Sequence, residues 1–174
     1  MKSAVHWLFI LVSVLLTITG CKKITSNEPG NLSVDRYIEL LKANQYDSVM
    51  IPAFTYKDIP SLLSYRNETQ LISNFPRNPI SSYYNSKCKL GIYVLWTIES
   101  IRAVTIQSKS LILRFPSQNS VLAMRNADFG LIEDSASHES AANAYYLWWE
   151  NNRRRDFNEF ANVDPLDGTA YKWH

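Results

Sequence analysis

Hydrophobic residues recur at helical spacing in the first part of the chain. Val34, Tyr37, Ile38 and Leu41 lie at i, i+3, i+4 and i+7, and charged residues occupy several of the positions between them. This spacing predicts an amphipathic helix with one buried face. Ser33 directly precedes the helix and supplies the side-chain oxygen that is preferred at an N-cap.

Two further stretches predict helices, and the second is apolar on all sides. A short helix is expected over 59–65, with Pro60 in its first turn, where a missing N–H costs little. The run Lys89–Thr105 is longer, and between its ends only Glu99 and Arg102 are charged. A helix of this character is buried on every side. We therefore expect it to lie at the centre of the core.

The last long helix is predicted over 137–154. One wide stripe on this helix holds Ala141, Ala142, Tyr145, Trp148, Trp149 and Asn152. The basic run Arg153–Arg155 comes at its end, and we interpret it as a solvated helix end. Tyr171 and Trp173 are expected to fold back on the domain as a C-terminal clasp.

The remaining segments lack a helical pattern. Residues 66–87 and 107–135 are rich in proline, serine and asparagine and are predicted to be long irregular loops. A buried strand is the alternative for 104–115, because that stretch contains β-branched residues. The sequence as a whole predicts a mostly α fold, a small helical domain with little or no sheet.

The N-terminal residues have a different character. Lys2 precedes a mostly apolar run over 4–18, which is short for a membrane span of roughly 20 residues and is typical of a secretory signal. The sequence Leu16–Cys21 resembles the lipobox of bacterial lipoproteins. This resemblance implies that the sulfur of Cys21 carries diacylglycerol, with palmitate among its acyl chains, after cleavage. An uncleaved apolar anchor is the alternative.

These features divide the chain into three parts. Residues 1–20 are predicted to be a lipoprotein signal peptide and residues 21–32 a lipid-anchored tether. Residues 33–174 are predicted to be a single helical domain, which is long enough to bury a core. An aromatic content of 13% also argues against disorder.

Charge and cysteine content exclude several kinds of function. The formal net charge is +2, so no overall field attracts nucleic acid. If Cys21 is lipidated, Cys88 is the one free thiol, and no disulfide forms within the chain. No cofactor is expected.

Several segments together resemble an uncharacterised lipoprotein family of Gram-negative gut anaerobes, a domain of unknown function. Asp58–Tyr65 and Leu90–Arg102, separated by Phe75–Pro79, resemble a degenerate HEAT-like helical pair. The stretches Ala144–Asn152 and Asp164–Thr169 complete the likeness, which covers nearly the whole mature chain. The resemblance brings no catalytic residues with it.

The lipobox and the family resemblance also imply a location. We expect the protein in the cell envelope, anchored in the outer membrane through Cys21. Its periplasmic face is favoured because Lys22–Thr25 lacks the acidic residues of some surface-export signals. Ser48 and Ser135 lie in triplets that resemble an O-glycosylation acceptor motif of such anaerobes.

Few side chains suggest catalysis. Lys87 and Lys89 flank Cys88 and would favour its thiolate if all three were exposed. His138 is the one plausible base in the domain, but it is distant in sequence and is expected at the exposed start of the last helix. We expect Cys88 in the core and predict that the protein is not an enzyme.

Other charged groups are assigned structural roles. Glu99 and Arg102 are spaced i, i+3 on the most buried helix and are predicted to form an ion pair. The segment Asp164–Gly168 contains two aspartates but lacks the spacing of a calcium loop. No metal site is predicted.

The aromatic residues of the last helix are the strongest candidate binding surface. Tyr145, Tyr146, Trp148 and Trp149 would contact a ligand or partner if one edge of their stripe were exposed, although such a stripe is commonly core. The favoured function is a non-catalytic protein-interaction module with an envelope protein as its partner. The alternatives are a glycan-binding lipoprotein that uses Trp148 and Trp149 and, more remotely, a Cys88 enzyme.

Overall fold

The computed structural model describes residues 32–126 and 130–174. Within these ranges the chain forms five α-helices, a 3₁₀ helix at Tyr56–Asp58 and five short strands. The helices are α1 (Val34–Lys42), α2 (Ile59–Leu63), α3 (Leu90–Thr105), α4 (Ser135–Asn152) and α5 (Phe157–Phe160). The strands are β1 (Leu71–Ile72), β2 (Cys88–Lys89), β3 (Leu122–Met124), β4 (Leu131–Ile132) and β5 (Tyr171–Trp173).

Helix α3 lies at the centre of the core, as its sequence predicts. Nearly every side chain from Leu90 to Ala103 is buried, including those of Tyr93 and Trp96. Helices α2 and α4 pack against it, and the ring of Phe115 lies 5.6 Å from that of Trp96. Because α3 has no polar face, it needs neighbours on all sides.

Helix α1 confirms the prediction for the first hydrophobic stretch. Ser33 is its N-cap, and the Ser33 hydroxyl accepts a hydrogen bond of 3.3 Å from the backbone N–H of Arg36. Tyr37 and Leu41 on the predicted face are buried. Leu32, which directly precedes the cap, also packs against the core, so the packed domain includes it.

The prediction of a mostly helical domain with little or no sheet is wrong. Helices make up 39% and strands 10% of the structure, and the strands form two antiparallel sheets. In the first sheet Leu71 pairs with Lys89. The second has the order β4-β3-β5, with Leu122 opposite Trp173. Strands of two or three residues are too short to show the alternation that identifies a strand in a sequence.

The two helices predicted to form a HEAT-like pair are unequal. Helix α2 has five residues and ends at Leu63, whereas α3 has 16. A helical repeat stacks two helices over a continuous interface, and α2 is too short to provide it. The predicted return of Tyr171 and Trp173 is confirmed, and it takes the form of edge strand β5.

Helix α4 begins and ends slightly earlier than predicted. Its N-cap is Asp134, whose carboxylate accepts a 2.7 Å hydrogen bond from the backbone N–H of Ser137. The helix ends at Asn152, so the basic run follows it directly. Within the described residues, no helix combines the length and hydropathy that crossing a bilayer requires.

Candidate functional site

An open groove lies between α2 and the second half of α4. Its walls come from these two helices and from the residues that directly follow each of them. The lining side chains are Pro60, Leu63, Ser64, Arg66, Tyr146, Trp149, Glu150, Arg153 and Arg154. The groove therefore brings part of the predicted aromatic surface together with three arginines.

The floor of the groove is apolar and its aromatic wall is fixed. Leu63 and Trp149 are buried in the core, whereas Tyr146 is 37% exposed. The guanidinium carbon of Arg66 lies 4.4 Å from the centroid of the Tyr146 ring, a cation–π contact. Nη1 of Arg66 also donates a 2.9 Å hydrogen bond to the carbonyl oxygen of Leu63. These two contacts hold the guanidinium over the ring.

The charges that line the groove are mostly positive. Glu150 supplies the one carboxylate of the lining, and it pairs with Arg153 at 3.1 Å. Arg154 takes part in none of the ion pairs found in residues 32–126 and 130–174. Guanidinium groups donate paired hydrogen bonds that match carboxylates and phosphates. The groove is therefore suited to an anionic group.

The four predicted aromatic residues occupy different environments. The side chains of Tyr145, Trp148 and Trp149 are buried, and Tyr146 is the exposed member. Trp148 packs on the rings of α5, with its centroid 5.3 Å from that of Phe160. Neither indole offers the open ring face that stacking on a sugar requires. Adjacent helical residues point about 100° apart, which is why Tyr146 alone turns outward.

The predicted pair of Glu99 and Arg102 lies within a larger buried network. The Arg102 guanidinium bonds to the Glu99 carboxylate, and Nε of Arg102 donates to the carbonyl oxygen of Ala161 at 3.0 Å. The Tyr145 hydroxyl also donates to Glu99, at 2.7 Å, and accepts from Nε1 of Trp173 at 2.8 Å. Burial, followed by the charge of Glu99, raises the pKa of Tyr145. The network joins α3, α4, β5 and the residue that follows α5.

Cys88 lies in strand β2 with its thiol buried. The thiol donates to the carbonyl oxygen of Ser120 at 3.5 Å, and burial raises its pKa to about 12. At neutral pH it is therefore a protonated thiol and a weak nucleophile. His138, predicted to be exposed, is buried, and its Nε2 lies 2.7 Å from the carbonyl oxygen of Arg66. Since a carbonyl only accepts, Nε2 carries the proton.

Of the two aspartates near the C-terminus, Asp164 is engaged with the protein itself. Oδ1 of Asp164 accepts a 2.9 Å hydrogen bond from the backbone N–H of Leu166, and Oδ2 pairs with Arg125 at 3.1 Å. In residues 32–126 and 130–174, no three or more His, Cys, Asp and Glu side chains are grouped as metal ligands would be. Cys21, the predicted lipidation site, lies outside the described residues, as do the signal peptide and most of the predicted tether.

Helices packed with small antiparallel sheets define an α+β domain, and the arginine-lined groove lies on its surface. The chain belongs to the family described as a domain of unknown function (DUF4943), whose model matches residues 28–174. Comparison with curated proteins and with solved structures gave no match.

Proposed function

We propose that this chain is a lipid-anchored protein of the cell envelope and works as a non-catalytic protein-interaction module. The observation that carries the proposal is the groove in which Arg66, Tyr146 and Arg154 converge over an apolar floor. Aromatic residues and arginine dominate the residues that contribute most to protein–protein binding. The groove is lined by side chains of these same types.

The anchor is proposed from the sequence Leu16–Cys21. Lipid on Cys21 would hold the domain at the outer membrane, with the periplasmic face favoured. The segment 21–31 would be the tether, since Leu32 packs on the core, and it could span up to about 40 Å if fully extended. That reach allows the groove to meet a partner in the same membrane or close to it.

The groove is suited to binding because its apolar floor and its aromatic wall are already in place. Leu63 and Trp149 are fixed by the core, and Arg66 is held by Tyr146 and by the carbonyl oxygen of Leu63. A preformed surface loses little conformational entropy when a partner binds. The exposed parts of the groove are therefore available without rearrangement of the fold.

Site-specific photocrosslinking in cells tests the interaction. A photoreactive phenylalanine derivative replaces Tyr146 in one full-length chain and Tyr84 in a matched control, because Tyr84 is exposed on a loop that does not line the groove. We expect a defined crosslinked partner from position 146 that is missing from position 84 and weakened by Arg154→Glu. Identical products from both positions, or none from position 146, would contradict the proposal.

Detergent partitioning tests the anchor separately. The full chain should enter the detergent phase, and mass spectrometry should find diacylglycerol on Cys21. The Cys21→Ser variant should stay in the aqueous phase if it is exported and cleaved, or retain its signal peptide if it is not. An unmodified Cys21 in the mature wild-type protein would rule out this form of anchoring.

A further inference from the structure

We infer that the groove binds an acidic segment of its partner, an extended stretch that carries carboxylates beside an apolar side chain. The inference rests on the proposed function, because it names the chemistry of the partner at the same groove. Its basis is the combination of uncompensated arginines and an apolar floor in one concave surface.

The positive charge exceeds the negative charge within the lining itself. Glu150 is paired with Arg153, which leaves Arg66 and Arg154 without a carboxylate partner among the lining residues. Arg66 uses Nη1 for the Leu63 carbonyl, and a guanidinium has five N–H donors. Donors therefore remain for a carboxylate of the partner.

The two arginines favour a partner with more than one carboxylate. Arg66 follows α2 and Arg154 follows α4, and both side chains line the groove. A segment bound in the groove would meet both guanidinium groups. Two carboxylates on the segment would satisfy both, and this arrangement is favoured over a single isolated anion.

The apolar floor favours a peptide over the surface of an anionic membrane. Pro60 is exposed, and together with the small exposed parts of Leu63 and Trp149 it forms the apolar part of the lining, which an apolar side chain of a peptide would cover. The headgroup layer of a bilayer is polar and broad, so it would contact the rim and leave a concave floor uncovered. Burying the floor contributes free energy in proportion to the apolar area removed from water.

Selection from a displayed library of random peptides tests the inference without a known partner. The full lipidated chain is held in nanodiscs of neutral lipid, and enriched peptides are sequenced. We expect enrichment of aspartate and glutamate next to leucine, isoleucine, valine or phenylalanine. The selected peptides should bind the Arg154→Glu variant roughly tenfold more weakly, since reversing a contact charge of this kind costs on the order of one decade in affinity.

The matched control is Lys172→Glu. Lys172 is exposed at the middle of β5, between two residues that pack on the core, and its replacement changes the net charge by the same amount. Binding should be unchanged in this variant. Affinity of the wild type should fall between about 50 and 300 mM NaCl, as expected for attraction between exposed charges.

The outcomes separate the inference from the function on which it rests. Enriched peptides without an excess of acidic residues, or acidic peptides that bind Arg154→Glu equally well, would overturn the inference and leave an interaction module in place. Absence of any enrichment, together with failure of crosslinking at position 146, would overturn both. Binding to phosphatidylglycerol vesicles that depends on Arg154, with no acidic peptide selected, would assign the groove to lipid headgroups instead.

Discussion

The hydroxyl of Tyr145 on α4 donates a hydrogen bond of 2.7 Å to the carboxylate of Glu99 on α3. The same hydroxyl accepts a hydrogen bond from Nε1 of Trp173 on β5. Glu99 in turn pairs with the buried Arg102. One oxygen atom therefore connects the charged pair of the central helix with the C-terminal strand, and the network holds together parts of the chain that are distant in sequence.

Replacing Tyr145 by phenylalanine removes that oxygen and little volume. Glu99 would lose one donor and Trp173 would lose its acceptor, both in a part of the protein that is largely closed to water. We expect a loss of about 1–3 kcal/mol in the free energy of unfolding, the usual cost of leaving a buried polar group without its partner. Urea unfolding followed by circular dichroism measures it.

Tyr84→Phe is the control for this substitution. The Tyr84 ring is 74% exposed, so loss of its hydroxyl should change the free energy of unfolding by less than about 0.5 kcal/mol. Equal effects of the two substitutions would show that the hydroxyl of Tyr145 contributes nothing specific to stability.

Helix α3 shows how much of the fold the sequence reveals. Its apolar character predicts a buried helix over 89–105, and the structure has Leu90–Thr105. Strands β3 and β5 could not be predicted, because each has three residues and their pairing of Leu122 with Trp173 joins distant parts of the chain. Periodicity within a segment carries no information about such a partner.

The groove was only partly predictable for the same reason. The stripe on the last helix identifies Tyr146 and Trp149 as candidates but does not reveal which ring faces solvent. Arg66 lies in a stretch predicted to be a loop, and only tertiary packing places it over Tyr146. The pattern of the basic run after α4 predicts only a solvated helix end, whereas Arg153 and Arg154 also line the groove.

Gly91 is predicted to be intolerant of a side chain despite its position in a helix. A Cβ atom there would overlap the carbonyl oxygen of Arg66 and the ring of His138. Alanine normally stabilises a helix by roughly 0.5–1 kcal/mol relative to glycine. Here we expect Gly91→Ala to lower the midpoint of thermal unfolding, because the backbone at Arg66 would have to move.

Gly168 provides the comparison, because here the backbone conformation, and not a lack of space, disfavours a side chain. Its φ is +82° and a Cβ would meet no neighbouring atom. Gly168→Ala should cost about 1 kcal/mol through backbone strain alone, which is less than the overlap at Gly91 should cost.

A rise in the unfolding midpoint for Gly91→Ala would mean that α3 and α4 do not approach this closely in solution.

His138 should make the protein less stable in mild acid. Burial lowers the pKa of its imidazole, although the hydrogen bond to Arg66 opposes the shift. Below about pH 6.5, the ordinary value of histidine, the unfolded chain therefore takes up a proton more readily than the folded one. The free energy of unfolding should fall as the pH drops from that value through the lower pKa of the folded state.

Urea unfolding at several pH values from neutrality to about pH 5 measures this effect, a range that lies above the usual pKa of carboxylates. The control is His138→Gln, whose amide can donate to the same Arg66 carbonyl and does not titrate. Its stability should change less with pH than that of the wild type. Parallel curves for the two proteins would show that His138 is not the responsible group.

Cys88 should resist alkylation until the protein unfolds. Its thiol is buried, and the pKa of about 12 exceeds the ordinary thiol value of 9.0. This difference leaves roughly a thousandfold less thiolate at a given mildly alkaline pH. In the Cys21→Ser variant Cys88 is the remaining cysteine. Iodoacetamide should modify it at least about a hundredfold faster in urea than in buffer, as measured by mass spectrometry. Equal rates would show that solvent reaches the thiol in the folded protein and would restore a reactive cysteine as a candidate nucleophile.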